Sequence, residues 1–485
     1  MKESHKQHGS SRAYRLCLGK RWFNFAYLLV FAVLFANLIS NSSAEGTDRE
    51  ELSPLEPQGG SQIEHTNSDN AIGKETDIDP TSFGAKGDGI TDDTDALQKA
   101  LTICSRNGWK CRIPANKKFL ARRSLYIWGN ARLEGDGVTS SIIFNVPHVG
   151  YLLNVGISGP NRLEKPFAGK ISNLTFRVNG GDGGRIIFFW RTDGAQIINN
   201  VFDVGNYPYS ATSSGNDNRW VVNGHANCVR KNIIIKGNIV KAKQTNDGGE
   251  GIGLASFDGA LIENNRISGV GDDPIGIHYS ANVKILDNDL KSVDGRIYVS
   301  NSKNVEVAHN RHERVASGRD GKFYGGIALV YIGFEIFEAN EFAAPTNIKI
   351  HHNTLSYPKG AIDEGGAIYI YAPRNISVEN NRVINDSPKV KATGFRMLPC
   401  PFSGHWRDPD RIDPAHMARV WDADIEENTM EGKYPLPMVM TGNCVDYKGD
   451  VLIKNNSAAD FTFYCERVKL IGNIRIKGST LPAQR

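Results

Sequence analysis

The sequence predicts a parallel β-helix, in which each turn of the chain adds one rung of short strands. Three successive segments share one pattern: an acidic or glycine-rich turn, an alternating strand, a polar turn, and a second alternating strand that ends in asparagine. The closing asparagines are Asn265, Asn288 and Asn310, separated by 23 and 22 residues. Self-similarity at such a period is typical of a solenoid. Because the apolar residues alternate with a period of two, the repeat is made of strands.

The first 76 residues are predicted to lie outside this fold. Residues 1–44 have a basic start, an uncharged apolar run at 23–39 and small residues before Glu45, as is typical of a secretory signal peptide. That run is just long enough to span a bilayer, so an uncleaved N-terminal membrane anchor is the alternative. Residues 45–76 are polar and predict a disordered linker. We therefore expect a secreted or periplasmic protein whose β-helix domain spans residues 77–485.

The charge balance argues against a nucleic-acid partner. The chain has 57 basic and 53 acidic residues, and removal of residues 1–44 leaves 51 basic against 52 acidic residues. A nearly neutral protein has little electrostatic attraction for a phosphate backbone. No lipid contact is expected beyond the possible anchor, and the sequence predicts no oligomeric state.

Cysteine usage fits an exported chain. Six of the seven cysteines follow the signal peptide, which is an even number. Cys104 with Cys111 and Cys444 with Cys465 are close in sequence and are predicted to form disulfides, which leaves one further pair of cysteines. No cysteine and histidine spacing typical of a structural zinc site is present.

The β-helix is predicted to begin with a glycine-rich loop and a capping helix. Gly84, Gly87 and Gly89 form the loop, and the helix spans residues 92–104 with Thr91 or Asp92 as its N-cap. Its apolar residues recur on one face. A helix placed there would cover the open end of a solenoid, where unpaired strand edges would otherwise promote aggregation.

The same stretch carries a resemblance to a known group of proteins. FGAKGDGITDDTDALQKAL, residues 83–101, resembles the opening segment of the pectate-lyase-like superfamily of right-handed β-helices. That superfamily includes polygalacturonase-like hydrolases, polysaccharide lyases and phage tailspikes. The resemblance implies an all-β, right-handed parallel β-helix with an N-terminal capping helix. It specifies the fold more than the chemistry.

Further rungs are predicted on both sides of the central three. Their strands end at the following asparagines, which we expect to form an inward ladder: Asn173, Asn200, Asn238, Asn353, Asn381, Asn428, Asn455 and Asn473. Three connections, 201–230, 311–345 and 383–424, exceed the rung period and are predicted to be long loops that carry binding residues. The third contains Trp406 beside arginine and histidine, which suits sugar stacking or loop packing equally.

The candidate site comes from the alternation along the first strand of each rung. That strand is registered on Ile252, Ile275, Ile297, Ile327 and Ile368, which are predicted to face inward. The alternate residues, which are predicted to face outward, are His278, Arg296, Tyr298, Ser300, Tyr369 and Tyr371. The acids at the strand entrances are Glu250, Asp272, Asp273, Asp294 and Glu364. Because rungs stack about 4.8 Å apart, these side chains predict a groove.

Two reactions could use this groove. Hydrolysis with inversion needs an acid and a base carboxyl, which Glu250, Asp272 and Asp273 could supply. The sequence Gly-Asp-Asp at 271–273 resembles the paired aspartates of polygalacturonase-like hydrolases, and Thr-Asn-Asp-Gly at 245–248 stands where that family has Asn-Thr-Asp-Gly. The family's Gly-His-Gly and Arg-Ile-Lys are absent, so its sugar-binding half is not carried over.

The second reaction is β-elimination from a uronic acid. Arg296, Tyr298 and His278 could serve as base and charge neutraliser, and Glu250, Asp272 and Asp273 could hold Ca²⁺ as an optional cofactor. A C5 epimerase would begin with the same proton abstraction. The predicted substrate-binding residues are Tyr298, Tyr369, Tyr371, Asp294, Glu364 and Trp406.

A different class is a non-catalytic glycan-binding or surface solenoid, in which the acids are simply turn formers. The closeness of several acids to Arg296 and His278 favours an enzyme. We therefore expect a protein that cleaves an extracellular acidic, uronate-containing polysaccharide.

Overall fold

The structure is a computed structural model that describes most of the chain from Thr76 onward. The predicted signal peptide and nearly all of the predicted linker lie outside the described residues and stay predictions. The described residues are 76–147, 150–160, 162–181, 184–205, 207, 209–214, 230–243, 249–292, 295–315, 330–333, 345–362, 366–371, 374–398, 423–440, 451–463 and 468–475.

The described chain winds through three long parallel sheets, one strand of each per rung. A representative rung passes from Ile252–Ala255 in sheet 1 to Asp258–Glu263 in sheet 2 and Arg266–Ser268 in sheet 3. Each strand then pairs in parallel with the equivalent strand of the next rung. Such a path is a parallel β-helix, and the predicted all-β fold class is confirmed.

Within the described residues, sheet 1 contains 12 strands. They are Leu125–Ile127, Gly150–Val155, Gly184–Phe189, Tyr209–Ser214, Ile252–Ala255, Ile275–His278, Ile297–Ser300, Val330–Gly333, Gly366–Tyr371, Thr393–Leu398, Met438–Met440 and Phe461–Phe463.

Sheet 2 contains 15 strands in the part of the chain that the structure describes. They are Asp77–Ile78, Lys110–Ile113, Arg132–Gly135, Lys170–Ser172, Thr192–Asp193, Gln196–Ile198, Arg230–Lys236, Asp258–Glu263, Ala281–Leu286, Lys303–Ala308, Thr346–His351, Arg374–Glu379, Ala423–Glu426, Val451–Lys454 and Val468–Ile471.

Among the described residues, sheet 3 contains 14 strands, and one antiparallel pair, Ile157–Gly159 with Arg162–Leu163, lies outside the three sheets. The strands of sheet 3 are Asp88–Asp92, Lys118–Ala121, Ser141–Phe144, Thr175–Val178, Val201–Gly205, Ile239–Ala242, Arg266–Ser268, Asp289–Ser292, Arg311–Arg314, Thr354–Tyr357, Arg382–Asn385, Thr429–Glu431, Ser457–Ala458 and Ile474–Arg475.

The hydrophobic core is a column of apolar side chains enclosed by the three sheets. In sheet 1, Ile252, Ile275 and Ile297 lie opposite one another in register and are at most 1% exposed. The predicted inward alternation is thereby confirmed for these rungs. On the next rung the predicted register was wrong, because Val330 and not Ile327 is the register partner of Ile297. Ile327 lies outside the described residues.

A ladder of buried asparagines joins the rungs at the turn from sheet 2 to sheet 3. The amide and backbone N–H groups of Asn265 both donate to Oδ1 of Asn288, at 3.0 and 2.9 Å. Asn288 donates in the same way to Asn310. Each Oδ1 thus accepts a buried backbone N–H and a buried amide N–H from the preceding rung, which pairs polar groups that are out of reach of water. The predicted inward ladder is confirmed.

Two predicted ladder positions were wrong by one residue. Asn173 and Asn455 have the left-handed φ values of 57° and 55°. Each therefore occupies the turn position that precedes the ladder, where asparagine is favoured because its short side chain tolerates that conformation. Asn456 takes the ladder position of its rung and accepts from Asn428.

The helix Thr94–Asn107 lies at the N-terminal end of the solenoid and buries Leu97, Leu101 and Cys104 completely. The predicted capping helix is thereby confirmed, with its first residue two positions later than expected. Its N-cap is Asp93, whose carboxylate accepts from the backbone N–H groups of Lys86 and Gly87 in the preceding loop. That loop therefore anchors the helix to the first rung.

The predicted disulfide between Cys104 and Cys111 is not formed in this structure. Both residues are buried free thiols, and a hydrogen bond with Cys104 together with burial raises the pKa of the Cys111 thiol. The other predicted pair, Cys444 with Cys465, lies outside the described residues.

The prediction of three long loops was only partly correct. Each contains regular strands of the solenoid, such as Tyr209–Ser214, Val330–Gly333 and Thr393–Leu398 in sheet 1. Their remaining segments, with Trp406 among them, lie outside the described residues. Within the described part of the chain, no helix combines the length and apolar character that a membrane crossing requires.

Candidate active site

The candidate site lies on the outer face of sheet 1, where the chain enters three successive strands. The strands Ile252–Ala255, Ile275–His278 and Ile297–Ser300 pair in register, so residues just before and within them stack along the solenoid axis. Since the isoleucines face the core, the alternate residues face outward. The structure brings together five of the predicted site residues: Glu250, Asp272, Asp273, His278 and Arg296.

Glu250 and His278 form the first pair of the site. Their side chains approach through Oε1 and Nε2 at 3.4 Å, and Nδ1 of His278 lies 2.9 Å from Oγ of Ser300. The backbone N–H of Glu250 donates to Oγ of Ser210 on the preceding rung, which fixes the chain at this point. With 19% and 11% exposure, Glu250 and His278 are sheltered but reachable.

Two glycines make room for the Glu250 carboxylate. Gly253 and Gly276 are register partners on adjacent strands, directly beneath it. A Cβ atom at Gly253 would lie 1.8 Å from Oε2, and one at Gly276 would lie 2.6 Å from Oε1. Both distances are far inside van der Waals contact, so any side chain here would displace the carboxylate. Gly253 and Gly276 thus form the surface beneath the Glu250 carboxylate, here called the glycine floor.

Asp273 and Arg296 form the second pair. Oδ1 of Asp273 accepts the backbone N–H of Arg296 at 3.0 Å and lies 3.1 Å from its Nε. The guanidinium in turn lies 4.4 Å above the ring of Tyr298. The Asp273 side chain is only 7% exposed. Burial raises the pKa of Asp273 to about 7, although Arg296 acts in the opposite direction.

Asp272 stands at the rim of the groove and keeps contact with solvent. The protein around its carboxyl raises its pKa by displacing water, and the negative charge of Glu250 raises it further. Crowding of acids is a common way to hold one carboxyl protonated while a neighbour ionises. The site therefore combines three carboxyl groups, of which Asp272 and Asp273 have raised pKa values, with one histidine and one arginine.

The predicted tyrosines lie on the outer face but are not open platforms. Tyr298 is covered by Arg296, and Tyr369 has the guanidinium of Arg396 at 5.2 Å from its ring centroid. Both rings are at most 5% exposed. Each tyrosine thus supports an arginine. The backbone of Tyr371 lies in the adjoining strand Gly366–Tyr371, whereas the predicted site residues Asp294, Glu364 and Trp406 lie outside the described residues.

An aromatic cluster on the same sheet was missed by the sequence analysis. Tyr151 stacks on Phe188 with ring centroids 3.7 Å apart, and Trp190 meets both rings edge-on. Tyr151 is 36% exposed and lies on the strand Gly150–Val155, three strand intervals before Ile252–Ala255 in sheet 1. The available signal was the alternation of Phe188 and Trp190 at the end of the strand Gly184–Phe189. Arg185, on that strand, was missed as well.

The described groups do not favour Ca²⁺ among Glu250, Asp272 and Asp273. Arg296 already places a positive charge against Asp273, and His278 occupies Oε1 of Glu250. A divalent cation prefers carboxylates free of cationic partners, and it would be repelled by the guanidinium. The optional calcium ligand set therefore does not fit these residues, and no step of the chemistry is assigned to it.

Comparison with known proteins supports the fold. Residues 185–395 match the family model described as "Right handed beta helix region". The predicted right-handed superfamily resemblance is thereby confirmed at the level of the fold. A search of curated protein sequences gives no match to the chain.

Several solved structures resemble the chain at low identity. A Yersinia enterocolitica family 28 exopolygalacturonase is 14% identical with a TM-score of 0.43, covering 84% of this chain and 79% of that one. The A-module of an Azotobacter vinelandii mannuronan C-5 epimerase is 14% identical with a TM-score of 0.42, covering 84% and 97%. The Streptococcus pneumoniae surface adhesin PfbA is 13% identical with a TM-score of 0.46, covering 82% and 91%. At these values the likeness carries no argument about activity.

Proposed function

We propose that the groove is the active site of an enzyme that cleaves an acidic polysaccharide outside the cell. The observation that carries this proposal is the contrast between two carboxyl groups on adjacent rungs. Asp273 is buried, with a pKa raised to about 7, whereas Glu250 lies partly exposed beside His278. Acid–base catalysis by two carboxyl groups requires one that still holds its proton near neutral pH and a second, in a different environment, that can accept one.

Hydrolysis is the reaction that this pair supports best. In its protonated form Asp273 would donate its proton to the glycosidic oxygen as the leaving group departs. Glu250, held by the glycine floor and by His278, would accept a proton from the attacking water. The proton gained by Glu250 and the one lost by Asp273 then exchange with solvent to reset the site.

The arginines of sheet 1 support an acidic substrate. Arg185 and Arg396 lie on strands of sheet 1, and Arg296 immediately precedes one, Ile297–Ser300; in this order along the chain the three strands are separated by four and then three strand intervals. At about 4.8 Å per interval, they lie roughly 19 and 14 Å apart along the axis. When Asp273 is protonated, the charge of Arg296 is no longer cancelled by it and can pair with a uronate carboxylate. A linear polyanion along the groove would therefore meet repeated positive charges.

β-Elimination is the second candidate, and one observation favours it. The ring of His278 lies 5.1 Å from the ring of Tyr298. The guanidinium of Arg296 also contacts the ring of Tyr298. A base, a phenol and a cation therefore lie together, as removal of a proton next to a uronate carboxylate requires. A C5 epimerase would use the same first step.

The test is to supply uronate polymers and a neutral glucan as matched substrates. Hydrolysis produces new reducing ends without absorbance from an unsaturated uronate, and elimination produces both. Epimerisation changes the uronate composition without new ends. Binding with none of these changes would overturn the proposal and identify a non-catalytic glycan-binding protein.

Variants then connect the activity to the groove. Asp273→Asn and Arg296→Ala should each lower turnover about 100-fold or more and leave folding intact. The matched controls are Asp203→Asn and Arg177→Ala. These variants change a solvent-exposed ion pair of sheet 3 whose length, 3.0 Å, is similar to that of the Asp273–Arg296 pair. The controls should retain full activity. Full activity of both groove variants would place the site elsewhere.

A further inference from the structure

A second cluster of chemically active side chains lies away from the groove, at the corner between sheets 2 and 3. His351 closes the strand Thr346–His351, and His352 follows it. One rung earlier, His309 occupies the same corner position as His352, after the strand Lys303–Ala308. Both corner histidines have left-handed backbone conformations, with φ of 58° and 55°. The solenoid thus stacks three histidines on two adjacent rungs.

The imidazole nitrogens are close enough to share one ion. One nitrogen from each of His309, His351 and His352 lies within 4.8 Å of the others. Nδ1 of His351 is 3.1 Å from Nδ1 of His352. Two nitrogens bound to one tetrahedral zinc ion, each at 2.0–2.1 Å, would be about 3.3 Å apart. The observed separation is therefore near the value that coordination requires.

A carboxylate orients the central histidine. Nε2 of His351 lies 3.1 Å from Oε1 of Glu306, and the other oxygen of that carboxylate, Oε2, lies 3.0 Å from Nζ of Lys284. A neutral His351 that donates its Nε2–H to this carboxylate has its lone pair on Nδ1, the nitrogen that faces His352. Metal-binding histidines are oriented in the same way by an outer carboxylate. This contact is a second, independent indication of a ligand site.

The chemistry of the donors selects the class of ion. Three neutral imidazoles suit Zn²⁺, Cu²⁺ or Ni²⁺ and are poor ligands for Ca²⁺ or Mg²⁺, which prefer oxygen. His309 and His352 are exposed, so water or another molecule can reach the remaining coordination position. We propose that His309, His351 and His352 bind a divalent transition-metal ion of the zinc class, at a site separate from the groove.

The rung repeat provides variants that spare the fold. The same corner position holds Asn264 two rungs before His309 and Asn380 one rung after His352, both with left-handed φ of 55°. The double variant His309→Asn/His352→Asn therefore installs residues that already occupy this corner elsewhere. Glu427, with φ of 57°, occupies the corner two rungs beyond His352. Glu427→Asn is the matched control.

The experiment measures Zn²⁺ binding to the full chain by competition with a chromophoric chelator, and Co²⁺ binding by its visible absorption. Wild type and Glu427→Asn should bind one more equivalent than the double variant, with histidine-type Co²⁺ bands that the double variant lacks. Glu306→Gln should retain the site with about 10–100-fold weaker affinity. Equal stoichiometry and equal affinity in wild type and the double variant would overturn the proposal. So would Co²⁺ spectra that do not differ between them.

Discussion

The buried carboxyl of Asp273 gives a prediction that needs no substrate. Its pKa is raised from 3.8 to about 7, so between these values the folded protein holds a proton that the unfolded chain has released. Unfolding then releases a proton, and the free energy of unfolding falls as pH rises from about 4 to about 7. At 1.36 kcal/mol per pKa unit, the loss is on the order of 4 kcal/mol at pH 8. This sign is opposite to that of an ordinary ion-paired aspartate.

The perturbation is Asp273→Asn, which cannot ionise. The free energy of unfolding of the Asp273→Asn variant should rise relative to that of wild type as pH increases. The difference between the two proteins should grow by ~4 kcal/mol between pH 4 and pH 8. The assay is urea unfolding between pH 4 and 8, followed by tryptophan fluorescence. The control Asp203→Asn alters an exposed pair and should differ from wild type by less than about 1 kcal/mol throughout. A wild type that gains stability over the variant as pH rises would refute the reasoning, because pairing with Arg296 would then outweigh burial.

Three further predictions follow from the same contacts. Gly276→Ala places a Cβ atom against Oε1 of Glu250 and should lower kcat/KM at least tenfold while the melting temperature stays nearly unchanged. A normal kcat/KM would show that activity does not depend on the position of the Glu250 carboxylate above this glycine. Turnover should fall as pH rises through about 7, since Asp273 then loses the proton it donates; a rate that climbs steadily to pH 9 would exclude it as the acid. Asn288→Ala removes the acceptor of two buried N–H groups of Asn265 and should lower the free energy of unfolding, measured by urea denaturation, by about 2–5 kcal/mol. A loss below about 0.5 kcal/mol would mean that the ladder is not stabilising.

Much of the fold could be predicted because its determinants are local and repeat. The spacing of Asn265, Asn288 and Asn310 follows the rung length, and alternation assigns each strand residue to a face. Errors arose where two adjacent residues fit the same pattern. Asn455 and Asn456 are both asparagine, and only the left-handed turn at the first of them decides which side chain enters the ladder.

The register was missed at Ile327 for a related reason. The segment before Val330 contains several apolar residues with alternating spacing, so more than one register satisfies the pattern. Pairing with the strand Ile297–Ser300 selects Val330 and Ile332, which are both fully buried. Sequence alternation gives the face of a residue but not its partner on the next rung.

The candidate site was predictable as a set of residues and not as a set of contacts. Rung stacking brings Glu250, Asp273, His278 and Arg296 to one face, as the sequence indicated. The pairing of Asp273 with Arg296 depends on the side-chain path across a rung, which no pattern specifies. For the same reason, the burial of Tyr298 beneath that arginine could not be foreseen.

The most direct test of the central claim is to cleave an acidic polysaccharide in water labelled with heavy oxygen and to analyse the products by mass spectrometry. Hydrolysis in the groove predicts that each new reducing end carries one oxygen from the solvent, and that Asp273→Asn yields no such product while Asp203→Asn yields it normally. Unlabelled, unsaturated products would instead establish β-elimination as the reaction. Unchanged polymer after prolonged incubation of every uronate substrate with the wild-type protein would contradict the assignment of this groove as an active site.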